Sequence, residues 1–115
     1  MSVTIYHNPR CSKSRQTLEL IQAQGLEPRI IEYLKTPPNA EELGHILVLL
    51  GCGPRDVMRN NKTEYKQQQL DDPSLSREQL INAMIQHPIL IQRPIVLANG
   101  KAVIGRPPEL VLDIL

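Results

Sequence analysis

Apolar and polar positions alternate along the chain in short blocks with clear punctuation. "VTIY", Val3 to Tyr6, is β-branched and apolar and stops at His7-Asn8-Pro9, which predicts a strand buried on both faces. From Ser12 to Gln24 the residues favour helix, with Leu18 and Ile21 three apart, Leu20 beside them, and Gly25 as the left-handed stop. After Pro28, "RIIEYL" predicts a second strand. Asn39 then offers an N-cap and Glu42 closes a capping box. Leu43, Ile46, Leu47 and Leu50 follow on one apolar face, and Gly51 ends that helix. "GPRDVMRNN" reads as a short helical turn entering a polar loop, and "TEYKQQQL" as a short helix. Ser76 and Gln79 make a second capping box, with Leu75 and Leu80 as its hydrophobic staple. Leu80, Ala83 and Met84 give that helix its core face, and it must stop before Pro88. Pro94 to Ala98 is a strand, Asn99-Gly100 is a strong hairpin signal, and "KAVIG" is the returning strand. Pro107 suits the first position of a last helix in which Leu110, Val111, Ile114 and Leu115 face inward.

The order is therefore β-α-β, a helical block, then β-β-α. A strand–helix–strand opening implies a right-handed parallel crossover, and the hairpin adds two antiparallel strands. That is an α/β, thioredoxin-like plan: a four-stranded mixed sheet flanked by helices, with a helical insertion over about 37–91. Residues 1–115 are read as a single domain, a length that closes one hydrophobic core without staples.

Composition narrows the function. The chain has no Phe and no Trp, so its core is aliphatic and it lacks aromatic platforms for stacking single-stranded nucleic acid. The formal net charge is +1 with no long basic run, so no general footprint for nucleic acid is expected. No stretch approaches the ~18–20 apolar residues needed to span a bilayer. The N-terminus has no basic segment followed by an apolar one, so no signal peptide is expected. These features predict a cytoplasmic protein, where disulfides are rarely structural, and hence two free thiols, Cys11 and Cys52.

Cys11 stands among Arg10, Lys13 and Arg15, directly after the first strand and at the start of the first helix. Unpaired N–H groups and the positive end of the helix dipole point at that junction. Both they and nearby cations favour thiolate over thiol, so Cys11 is the candidate nucleophile. The spacing C-x-x-S puts Ser14 where a dithiol motif carries its second cysteine. Ser14 cannot form a disulfide but can donate a hydrogen bond to the sulfur. Cys11 thus has no local resolving partner, and an outside thiol must complete any redox cycle. Cys52, in "LLGCG" after an apolar helix face, reads as a small buried residue. By residue type alone, His7 fits equally a satisfied polar group or a thiolate partner. No carboxylate–histidine cluster has the spacing of a metal site, so no metal is expected.

"IYHNPRCSKSRQTLELI", "EYLKTPP", "RPIVLANGKAVIGRPPE" and "VLDIL" resemble, block by block and in order, the ArsC-type arsenate reductases that use glutathione and glutaredoxin. The resemblance implies the thioredoxin-like fold with its helical insertion. It implies that Cys11 attacks arsenate, that Arg59, Arg93 and Arg106 hold the oxyanion, and that His7 and Ser14 support the nucleophile. It further implies a cis peptide at Arg93-Pro94, no bound cofactor, glutathione as cosubstrate and glutaredoxin as partner, in a chain expected to be monomeric. Guanidinium groups fork onto oxyanions and stay charged, which offsets the repulsion between arsenate and a thiolate. Ser12 and Lys13 stand where arsenic-resistance members typically carry Gly and Thr, so this variant looks like the chromosomal paralogues of the family. Two alternatives stay open. One is a Spx-like regulator that binds RNA polymerase, although such proteins often carry a C-x-x-C switch that Ser14 removes. The other is a monothiol, glutathione-dependent thiol transferase, which the C-x-x-S site would serve without the arginines.

Overall fold

The computed structural model describes residues 2–115. The chain forms two compact units, one made of the segment up to Thr36 together with Arg93–Leu115, the other of Pro37–Gln92.

The first unit holds β1 (Val3–His7), α1 (Ser12–Ala23), β2 (Arg29–Glu32), β3 (Ile95–Ala98) and β4 (Lys101–Ile104). The strand order is β2-β1-β3-β4. β1 pairs in parallel with β2, Ile5 opposite Ile30, and antiparallel with β3, Ile5 opposite Val96. β3 and β4 are antiparallel. This is the mixed four-stranded sheet of the thioredoxin-like plan that the sequence predicts. Val3, Ile5, Ile21, Val96, Ala98, Val111 and Ile114 form its buried cluster, with Leu18, Leu20, Leu26, Val103 and Leu115 packed against it. β1 is central and nearly all buried, whereas β2 lies at an edge and leaves Ile30 47% exposed. Asn99 (φ 55°) and Gly100 (φ 70°) both take left-handed backbone, as the two-residue hairpin turn requires. The Asn99 side chain donates from Nδ2 to the Ile114 carbonyl at 2.9 Å, tying the turn to the C-terminal segment.

That segment differs from the expected α-helix. It is a 3₁₀ helix over Pro108–Asp113 with Pro107 as its N-cap. With three residues per turn, the inward stripe falls on Pro108, Val111 and Ile114, all buried, and Leu110 turns outward at 37% exposure. A 3.6-residue period would turn Leu110 inward, and the tighter three-residue period turns it out.

The second unit comprises α2 (Ala40–Leu50), α3 (Thr63–Gln67), α4 (Arg77–Gln86) and 3₁₀ turns at Pro54–Val57 and Pro88–Leu90. Both predicted capping boxes form: Asn39 with Glu42 on α2, and Ser76 with Gln79 on α4. Gly51 caps α2 at φ 69°, a left-handed conformation that costs glycine no steric penalty. Leu43, Ile46 and Leu47 of α2 and Leu80, Ile81 and Met84 of α4 are buried. Leu50 is only part-buried, and of the α4 core face expected from Leu80, Ala83 and Met84, Ala83 is part-buried while Ile81 joins the other two. Among the described residues, no helix is long and apolar enough to cross a membrane.

Candidate active site

Cys11 is the N-cap of α1, with extended backbone (φ −94°, ψ 123°). The polar, proline-bearing loop after β1 makes this junction: the Cys11 N–H donates to the Asn8 carbonyl at 3.0 Å, and the Arg15 N–H donates to the Cys11 carbonyl at 3.0 Å. An N-cap side chain normally faces the N–H groups of the second and third helical residues, here Lys13 and Ser14. No formed side-chain cap bond closes the helix at Cys11, so the sulfur feels those two N–H groups electrostatically.

Several forces act on the thiol. Burial pushes its pKa up. The Ser14 N–H, the positive charge of Arg93, the Lys13 N–H and a hydrogen bond from the Arg93 side chain pull it down, and together they hold it below the ordinary thiol value. The first cation that acts on the sulfur is Arg93, not one of the cluster beside it in sequence. Arg15 turns its guanidinium to the Pro9 carbonyl at 2.9 Å, and Arg10 and Lys13 are exposed. Arg106 adds a second guanidinium: its Nη1 stands 4.0 Å from Cys11 Sγ and donates to the Arg93 carbonyl at 3.4 Å.

Ser14 is fully buried, and its hydroxyl does not serve the sulfur as its spacing had suggested. It lies 2.6 Å from His7 Nδ1 and accepts the Asn8 N–H at 3.0 Å. A buried hydroxyl takes the partners in reach, and the strand end and loop supply both. Ser14 instead contributes to the thiolate through its backbone N–H. His7, also buried, has its pKa lowered: burial is the main cause, with Glu32 opposing and Arg15 reinforcing it. It is therefore neutral at neutral pH.

The first unit thus brings together Cys11, Arg93 and Arg106, with His7 and Ser14 paired behind the loop. The Arg93-Pro94 peptide is cis, and so is Arg106-Pro107, which no sequence signal marked. Arg59 lies in the second unit, where its N–H donates to the Leu90 carbonyl at 2.7 Å beside the Met58–Ile91 bridge. Cys52 also lies there, half-buried, its pKa raised chiefly by burial and by Asp56 against the pull of Arg77. Among the described residues, no three His, Cys, Asp or Glu side chains cluster so as to hold a metal ion.

Comparison with known proteins shows the family. The ArsC family model matches residues 6–114. The uncharacterized protein YfgD of Escherichia coli (strain K12) is 55% identical over 97% of this chain and 95% of its own. An arsenate reductase of Rhizobium meliloti (strain 1021) is 48% identical over 100% of this chain and 82% of its own. A solved structure described as an arsenate reductase from Vibrio cholerae superposes with a TM-score of 0.97 at 52% identity, covering 100% of this chain and 98% of that one. A cysteine at a helix N-terminus, two guanidinium groups beside it and a match over nearly the whole length lead to one assignment: this chain belongs to the ArsC family.

Proposed function

We propose that the chain reduces arsenate to arsenite, with Cys11 as nucleophile and with glutathione and glutaredoxin as electron donors. The observation that carries this reading is the thiol of lowered pKa with the Arg106 Nη1 only 4.0 Å from its sulfur. A thiolate and an arsenate anion repel each other. Guanidinium groups beside the sulfur offset that repulsion and stabilise charge as it builds in the transition state. Arg93 and Arg106 serve this role from the first unit. Arg59 keeps the third share of the oxyanion on the family resemblance and its guanidinium chemistry.

In the first step the Cys11 thiolate forms an S–As bond, an As–O bond breaks, and the oxygen leaves as water after protonation. Arsenic remains As(V). Glutathione then adds its sulfur to arsenic, displacing a second water. The glutaredoxin thiolate attacks that glutathione sulfur to form a mixed disulfide. The electron pair of the broken S–As bond stays on arsenic, which becomes As(III). Hydrolysis releases arsenite and returns the Cys11 thiol. Ser14 makes an outside thiol necessary, because the C-x-x-S site has no second sulfur of its own. His7 and Ser14 support the nucleophile by fixing the loop that carries it.

The chain is read as a monomer acting as one reductase domain with a helical insertion, since Cys11, Arg93 and Arg106 lie together within one compact unit of a single chain. A glutathione-coupled cycle suits the reducing cytoplasm. The test is arsenite formation with glutathione and glutaredoxin, set against disulfide reduction without arsenate. Arsenite formation supports the reading. Reduction of glutathione mixed disulfides alone would replace it with a monothiol transferase, and neither activity would leave the regulator.

A further inference from the structure

Gly105 sits buried at the meeting point of α1, Pro94 and Arg106. A Cβ built there would lie 2.5 Å from Thr17 Oγ1, 2.9 Å from Pro94 Cγ and 3.1 Å from Thr17 Cγ2. The φ angle of Gly105 is outside the left-handed region, so what the position demands is space rather than backbone freedom. Neither neighbour can yield cheaply. Thr17 is fully buried and β-branched, and its hydroxyl donates to the Lys13 carbonyl at 2.8 Å within α1. The same oxygen lies 3.5 Å from the Gly105 carbonyl oxygen. Pro94 is a closed ring, also buried.

The connections run outward from this contact to the site. The Gly105 N–H donates to the Pro94 carbonyl at 3.0 Å, continuing the β3–β4 ladder by one step. Pro94 follows Arg93, and Arg106 follows Gly105. Thr17 lies in the helix whose N-cap is Cys11. We propose that Gly105 and Thr17 are positioning residues: the absent side chain at 105 lets α1 close against the β3–β4 corner and so sets the distance from the Cys11 sulfur to the guanidinium groups of Arg93 and Arg106. The effect on arsenate rests on the proposed reductase reading; the effect on the thiol does not.

Gly105→Ala tests this. Ordinary van der Waals contact needs about 3.4 Å, so the new methyl must push α1 and the corner apart by several tenths of an ångström. Misplacement approaching 1 Å can cost about a hundredfold in rate, so a fall of roughly tenfold to hundredfold in kcat/KM for arsenate is expected, with a raised KM. Cys11 should titrate at higher pH than in the unaltered chain, because Arg93 recedes from the sulfur. Adding Thr17→Ala removes both atoms of Thr17 that the methyl meets and should return part of both losses. If Gly105→Ala does not fold, the double variant carries the test against Thr17→Ala alone, and it should still raise the Cys11 midpoint through the remaining Pro94 contact. An unchanged Cys11 titration in folded Gly105→Ala overturns the proposal, and so, where that variant does not fold, does an unchanged titration in the double variant relative to Thr17→Ala. Failure of the unaltered chain to form arsenite, with the thiol shift present, would sink the reductase reading and leave the positioning role standing.

Discussion

Replacing Arg106 by lysine separates two contributions that arginine combines. Arg106 Nη1 stands 4.0 Å from the Cys11 sulfur. Opposite unit charges at about that distance attract by about 1 kcal/mol in bulk water and about 4 kcal/mol at an effective dielectric constant of about 20. Arg106 is exposed, so screening by solvent favours the lower figure. Lysine keeps that charge. What it loses is the planar fork, one arm of which is already engaged by the Arg93 carbonyl. Losing a charge-assisted bond to an oxyanion costs about 1.5–3 kcal/mol, or roughly tenfold to hundredfold in kcat/KM. Arg106→Gln loses the charge as well, a further ~1 kcal/mol or roughly fivefold. The assay is steady-state arsenite formation with saturating glutathione and glutaredoxin. Arg77→Ala is the control, an exposed residue in the first turn of α4 with no assigned role at the anion. Unchanged kcat/KM in Arg106→Lys would refute the assignment, as would an Arg77→Ala loss equal to that of Arg106→Gln.

Further consequences concern the two thiols and His7. Alkylation followed by mass spectrometry should show Cys11 becoming reactive at lower pH than Cys52, since the first thiol is lowered and the second raised; the opposite order would contradict the placement of the nucleophile. His7 is held neutral by burial, so below its ordinary pKa of about 6.5 the unfolded chain binds a proton that the folded chain does not. That contribution to stability is complete above the unfolded value and is lost as pH falls from there towards the lowered folded value. The melting temperature should therefore fall more steeply between about pH 7 and pH 5 in the unaltered chain than in His7→Gln, and equal slopes would refute a buried neutral imidazole.

The parts of the fold legible in the sequence are those fixed by neighbours in the chain. Asn39 with Glu42 and Ser76 with Gln79 announce helix starts because the capping bonds close within three residues. Asn99-Gly100 announces the hairpin because its turn needs two left-handed residues in a row. The C-terminal 3₁₀ helix was hidden because Val111 and Ile114 suit both periods, and only the burial of Pro108 and exposure of Leu110 separate them. At the site, the location of Cys11 at a strand–helix junction was readable from local pattern. The identity of its cation was not. Arg10, Lys13 and Arg15 are near in sequence, yet Arg93 acts on the sulfur because the β1–β3 pairing carries its strand there. Spacing likewise points Ser14 at the sulfur, whereas tertiary packing gives its hydroxyl to His7. Gly105 carried no signal at all, since a glycine needed for space looks the same in sequence as one needed for a turn.

The attack by Cys11 on arsenate is tested most directly by comparing Cys11→Ser and Cys52→Ser in arsenite formation with glutathione and glutaredoxin. A hydroxyl at neutral pH is far less nucleophilic than a thiolate, so Cys11→Ser should form no arsenite above background. Cys52→Ser, which changes a thiol with a raised pKa in the other unit, should keep most of the activity. Activity surviving in Cys11→Ser and lost in Cys52→Ser would contradict the mechanism at its first step.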